Sequence, residues 1–95
     1  MGAATIDELT VAYTEDGIET VKELDKVILT RGAWSTIIFR LQDWDRKKEC
    51  YGGDKYSIRR YQKRNGEYML RSKFAISSKD QATQLIEVLN QWMAD

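Results

Sequence analysis

Residues 55–76 read KYSIRRYQKRNGEYMLRSKFAI, and the pair Asn65-Gly66 inside them decides the fold. Both central positions of a tight two-residue hairpin need positive φ, which Asn and Gly tolerate best. The flanks alternate as strands do. Lys55–Lys63 reads as a strand with Tyr56 and Ile58 on one face and Lys55, Arg59 and Tyr61 on the other. In Glu67–Ile76, Tyr68, Leu70, Phe74 and Ile76 share one face while Met69, Arg71 and Lys73 share the other.

Upstream, Ser35–Trp44 is a further strand with Ile37, Phe39 and Leu41 on one face and Arg40, Gln42 and Trp44 on the other. The connection Asp45–Asp54 is charged and holds the turn signal Gly52-Gly53. Ile18–Thr30 has mixed periodicity: Val21, Leu24, Val27 and Ile28 suit a helix face, whereas the run Val27–Thr30 is β-branched enough for a strand. We expect a strand over its second half. Residues 1–17 read as an N-terminal extension, partly ordered at most, and residues 18–95 as the domain.

Downstream the period changes from 2 to 3.6. Ser77 or Ser78 is placed to cap a helix, with Asp80 or Gln81 three residues on. Ala82, Leu85, Ile86, Leu89, Trp92 and Met93 then recur on one stripe, predicting a helix over Lys79–Met93. The expected fold is α+β: an antiparallel four-stranded β-meander followed by one C-terminal helix. One helix covers one face of such a sheet, and Ile37, Phe39, Leu41, Tyr56, Ile58, Tyr68, Leu70, Phe74 and Ile76 are expected beneath it.

Composition removes several chemistries. The 95 residues contain no His and one Cys, so Ser-His and Cys-His catalysis and the usual zinc sites are excluded. Cys50 has no partner for an internal disulfide, which fits a reducing compartment and a cytoplasmic or nucleoid-associated protein. No 18-residue window is apolar enough to span a bilayer, and Asp7 and Glu8 stand where a secretory signal needs apolar residues. No cofactor or metal is expected. Asp43, Asp45 and Glu49 are candidate carboxylates for Mg²⁺-dependent nuclease work, but their spacing among Arg46, Lys47 and Lys48 defines no site, and the reading is non-enzymatic.

Fifteen basic and fifteen acidic residues give zero net charge, but the charge is segregated. Residues 1–33 carry −4, residues 34–76 carry +6 and residues 77–95 carry −2. A cationic middle bears on partners in a way the total does not. The face expected to stay open carries Arg40 and Trp44, then Lys55, Arg59 and Tyr61, then Arg71 and Lys73, with Arg46 and Lys47 on the neighbouring loop. Cations neutralise phosphates while aromatic rings stack on bases, the combination a single-stranded nucleic acid requires. Leu85, Val88, Leu89 and Trp92 extend the helix stripe beyond what one small sheet covers, so they are the expected dimer contacts.

At 55–81, KYSIRRYQKRNGEYMLRSKFAISSKDQ, the chain resembles the transcriptional coactivator p15 (PC4) family and its bacterial and phage relatives. Ile58-Arg59 and Tyr61 match its first strand motif and Gly66-Glu67 its turn. Arg71 and Lys73 match its basic strand, and Ile76-Ser77 the entry to its helix. The resemblance implies a homodimer joined through its helices, binding single-stranded DNA across concave sheets in transcription regulation or genome maintenance. RNA is the second candidate ligand, since stacking does not inspect the sugar. The family's glycine-rich basic turn is replaced here by Arg71-Ser72-Lys73-Phe74, and the connection Asp45–Asp54 is longer than that pattern. Single-stranded binders of the Whirly type share this order of elements. The competing class is a protein-interaction or assembly subunit built on the same dimer without nucleic-acid binding.

Overall fold

Two tight turns set the topology. Asn65 and Gly66 have φ of 53° and 80°, and Asp16 and Gly17 have φ of 53° and 78°, the paired positive values of a type I′ hairpin. A computed structural model describes residues 4–94. A 3-10 turn at Ile6–Glu8 precedes β1 (Tyr13–Glu15), β2 (Ile18–Thr30), β3 (Trp34–Asp45), β4 (Cys50–Tyr51), β5 (Lys55–Arg64), β6 (Glu67–Ile76) and α1 (Lys79–Met93). The strands form one antiparallel sheet in the order β1-β2-β3-β5-β6, with β4 paired to the end of β3. The fold is α+β, an antiparallel sheet followed by a C-terminal helix. Two short strands, β1 and β4, join the four long ones.

The strand β2 runs the full length from Ile18, further than its sequence period indicated. Its register to β3 shifts between Glu23 and Asp25 and again between Ile28 and Thr30, so Leu24 and Leu29 are bulge residues. Each bulge advances the face by one residue, which turns an alternating strand into an apparent helical repeat.

Register also corrects the expected faces. Ile37 pairs with Arg59 and Phe39 with Ser57, whereas Ile38 pairs with Ile58 and Arg40 with Tyr56. Ile37, Phe39 and Leu41 therefore do not share a face with Tyr56 and Ile58. The first set, together with Ser35, Ser57 and Tyr61, is buried under residues 5–12 and not under the helix. Ile6, Leu9 and Val11 of that segment are buried as well, although the sequence reads as a frayed start. Lys26 Nζ holds it by donating to the carbonyls of Asp7 (2.8 Å) and Leu9 (2.6 Å). Glu23 Oε1 accepts from Thr10 Oγ1 (2.6 Å) and the Val11 amide (3.3 Å). Ile37 and Phe39 are fully inaccessible, each stabilising the fold by about 1.5–3 kcal/mol.

The other face carries Ile38, Tyr56, Ile58, Phe74 and Ile76 beneath α1. Ser78 caps the helix by accepting from the Gln81 amide at 3.1 Å, and Gln81 Oε1 accepts the Ser77 amide at 2.8 Å. Helix and sheet do not close on each other. An apolar groove of about 530 Å³ separates them, lined by Ile38, Tyr56, Ile58, Phe74, Ile76, Ala82, Leu85, Ile86 and Leu89. No helix residue is buried. The radius of gyration is 15.2 Å, against about 12 Å for a compact domain of this length. The accessible surface is 6946 Å², against about 5,700 Å² for a compact monomer of this mass.

Candidate nucleic-acid interface

On the face opposite the helix, alternation along β5 places Lys55, Arg59 and Lys63, and the β5–β6 register sets Lys73 directly across from Arg59. Like charges placed opposite each other destabilise a sheet, so this pair has a cost that an anion would relieve. Arg59, Lys63 and Lys73 form no ion pair among the described residues. Arg59 Nε donates to Ser57 Oγ at 3.2 Å, which orients the guanidinium. Lys63 lies over the Tyr68 ring, 5.6 Å from its centroid. Lys55 differs from these, because its Nζ is 2.8 Å from Asp43 Oδ2. A cleft of about 410 Å³ runs along this surface, with Val11, Val21 and Leu41 on its apolar side and Lys55, Arg59 and Lys73 on its cationic side.

Tyr61 also belongs to this face but not to its surface. It is 4% exposed and packs with Ile37 and Phe39. Burial pushes its phenol above the usual tyrosine range, with the Arg59 charge opposing. The ring expected to stack on a base is therefore a core residue.

The remaining residues expected on this face lie elsewhere. Arg40 and Trp44 are on the helix-bearing side, because Arg40 pairs with Tyr56 where the expected face needed it beside Lys55. A displacement of one residue exchanges the faces of a strand. Arg40 bonds to Asp54 at 3.3 Å, and Gln42 Nε2 donates to the same carboxylate at 2.9 Å. The Gln42 hydrogen bond, with Arg40 adding to it, holds the Asp54 carboxyl below its ordinary value. Trp44 meets Tyr51 edge-on at 5.1 Å, and Lys22 Nζ lies over the Tyr51 ring, 5.2 Å from its centroid. Arg71 is the bulge residue of β6, and its Nε donates to Gln62 Oε1 at 3.1 Å on the helix-bearing side.

Arg46 and Lys47 sit at the β3–β4 turn. Arg46 pairs with Glu15 at 3.0 Å. Both line, with Asp43, Trp44 and Lys55, a second cleft of about 480 Å³ at the sheet's end. Asp45 Oδ1 accepts the Lys47 and Lys48 amides at 2.9 and 3.2 Å, so this carboxylate closes the turn. Among the described residues no group of three His, Cys, Asp or Glu side chains converges as a metal site. No helix of the described residues is long and apolar enough to cross a membrane.

Two features escaped the sequence reading. Lys63 has the same strand parity as Lys55 and Arg59, a signal present in the sequence. Arg60 lies over the Trp34 ring, 4.7 Å from its centroid, a contact that depends on the β3–β5 register. No protein-family model matches the chain, and no curated protein or solved structure matches it either.

Proposed function

We propose that the chain is a non-enzymatic, homodimeric, single-stranded nucleic-acid-binding protein of PC4-like architecture, with DNA the preferred ligand. Strands β2, β3, β5 and β6 form its four-stranded meander. The observation that supports binding is the Arg59–Lys73 cross-strand pair, extended by Lys63 and free of carboxylate partners among the described residues. Phosphates screen these charges from each other, and Tyr68 is the ring nearest them. Lys55 joins when Asp43 releases it, and Arg46 and Lys47 continue the cationic path at the sheet's end. Such a protein acts in transcription regulation or genome maintenance, in the cytoplasm or on the nucleoid.

The dimer follows from a separate observation. Ile86, Leu89, Trp92 and Met93 are 50–74% exposed on one helix. The surface in excess of a compact monomer, about 1,200 Å², exceeds the ~800 Å² each partner buries in a standard interface. We place Leu85, Val88, Leu89 and Trp92 at the contact between two copies. This same surface favours the second reading, an assembly subunit that uses the dimer and binds no nucleic acid.

Replacing Arg59 and Lys73 by Gln separates the two. Each phosphate neutralised on a single strand contributes about 0.7 to the slope of log K against log salt. Arg59, Lys63 and Lys73 together contribute about −2.1 to the slope per chain, and the double variant removes about 1.4 of it. An unchanged slope moves the site away from this face; no binding by the parent protein leaves the assembly reading.

A further inference from the structure

The helix-bearing face has its own cationic–aromatic patch, beyond the end of the apolar groove. Arg60 and Gln62 are alternate residues of β5 and share this face. Trp34 pairs with Gln62, and Arg60 lies over its ring at 4.7 Å. Arg71, the β6 bulge residue, is fixed to Gln62 by its Nε–Oε1 bond of 3.1 Å. Strand geometry sets the Cα atoms of Arg60 and Gln62 about 7 Å apart, so Arg60 and the amide that holds Arg71 stand next to each other along this face.

Three properties distinguish the patch from a solvated surface. Both arginines are held, one by a ring and one by an amide, so little rotamer freedom is lost on binding. Neither has an acidic partner among the described residues. Trp34 is 44% exposed, an aromatic residue left open at a strand end. A guanidinium lying over a ring presents its outer plane to a nucleobase, and Arg71 keeps its terminal N–H groups for a phosphate.

We propose that Trp34, Arg60, Gln62 and Arg71 form a second nucleotide-binding site, on the opposite side of the sheet from the Arg59–Lys73 surface. The inference rests on the single-strand reading and extends it: a long strand passes around the free edge of β6 and engages both sides. The bulge at Arg71 serves this path. Leu70 lies opposite Tyr61 on the first surface, so Arg71 falls on the helix-bearing side, and the extra residue returns Lys73 to the first surface opposite Arg59.

The test compares strands of 6 and 20 nucleotides. Arg60→Gln/Arg71→Gln is expected to weaken binding of the 20-nucleotide strand about tenfold while leaving the 6-nucleotide strand within about twofold. Arg59→Gln/Lys73→Gln weakens both. Ultraviolet crosslinking of a bromodeoxyuridine-substituted 20-nucleotide strand to the unaltered protein should label the peptide containing Trp34, a readout independent of how the variants fold. Unchanged affinity of Arg60→Gln/Arg71→Gln for both lengths, an equal loss at both, or no crosslink at Trp34 overturns the second site and leaves the first reading standing. Failure of the parent protein to bind either strand overturns both.

Discussion

Removing Leu89 and Trp92 from the helix should break the proposed dimer without unfolding the chain. Leu89 is 50% exposed and Trp92 74% exposed, so neither contributes much to the core of a single copy. Burying a large apolar side chain from full exposure stabilises by about 1.5–3 kcal/mol. Scaled by the exposure each retains, the two together supply about 3 kcal/mol per chain. A two-fold interface uses each residue twice, giving about 6 kcal/mol, or more than 10⁴ in dissociation constant. Sedimentation equilibrium over roughly 1–200 μM should find the parent protein dimeric and Leu89→Ala/Trp92→Ala monomeric. The variant's thermal midpoint at low concentration should stay near that of the dissociated parent, because surface changes of this kind cost about 0.5 kcal/mol or less. A parent protein that is monomeric at the top of this range refutes the reasoning, as does a variant that remains fully dimeric.

Two further outcomes follow from the opposite face. Lys26→Met keeps the aliphatic stem but leaves the Asp7 and Leu9 carbonyls without their donor, costing about 1–3 kcal/mol. Hydrogen exchange should rise over residues 5–12 while α1 is unchanged; equal exchange in both proteins shows that the ammonium does not hold the segment. Tyr61 carries a raised phenol pKa in the folded chain, whereas the unfolded chain ionises near the ordinary value of about 10. Between those values the folded state retains a proton that the unfolded state releases, so stability is complete below about pH 10 and falls as pH rises. Urea unfolding at a series of alkaline pH values should show that fall, and Tyr61→Phe should flatten it; an identical slope in the variant removes Tyr61 as its cause.

The parts legible in the sequence are those governed by neighbours in the chain. Asn65-Gly66 encodes its hairpin through local backbone preference, and Ser78 with Gln81 encodes the helix start through local hydrogen bonds. Faces are set by pairing between strands, which no local pattern carries. The strand Trp34–Asp45 alternates cleanly, yet whether Arg40 meets Lys55 or Tyr56 depends on the path through β4 and its turn. That one-residue difference divides Arg40 and Trp44 from Lys55, Arg59 and Lys73, and the bulge in β6 separates Arg71 from them. The bulges at Leu24 and Leu29 hid β2 for a related reason, since a bulge is defined against a partner. Residues 5–12 were obscure because Ile6, Leu9 and Val11 follow no sustained period, and their anchors Glu23 and Lys26 lie in the next long element.

On the proposed function, a flexible single strand lies along spaced cations of the sheet, which binding of a labelled random 20-nucleotide DNA strand, compared with its matching duplex across a salt series, tests. Tighter binding of the single strand at every salt concentration, weakening steeply as salt rises, is expected. Equal or stronger binding of the duplex, or no binding at low salt, would contradict it.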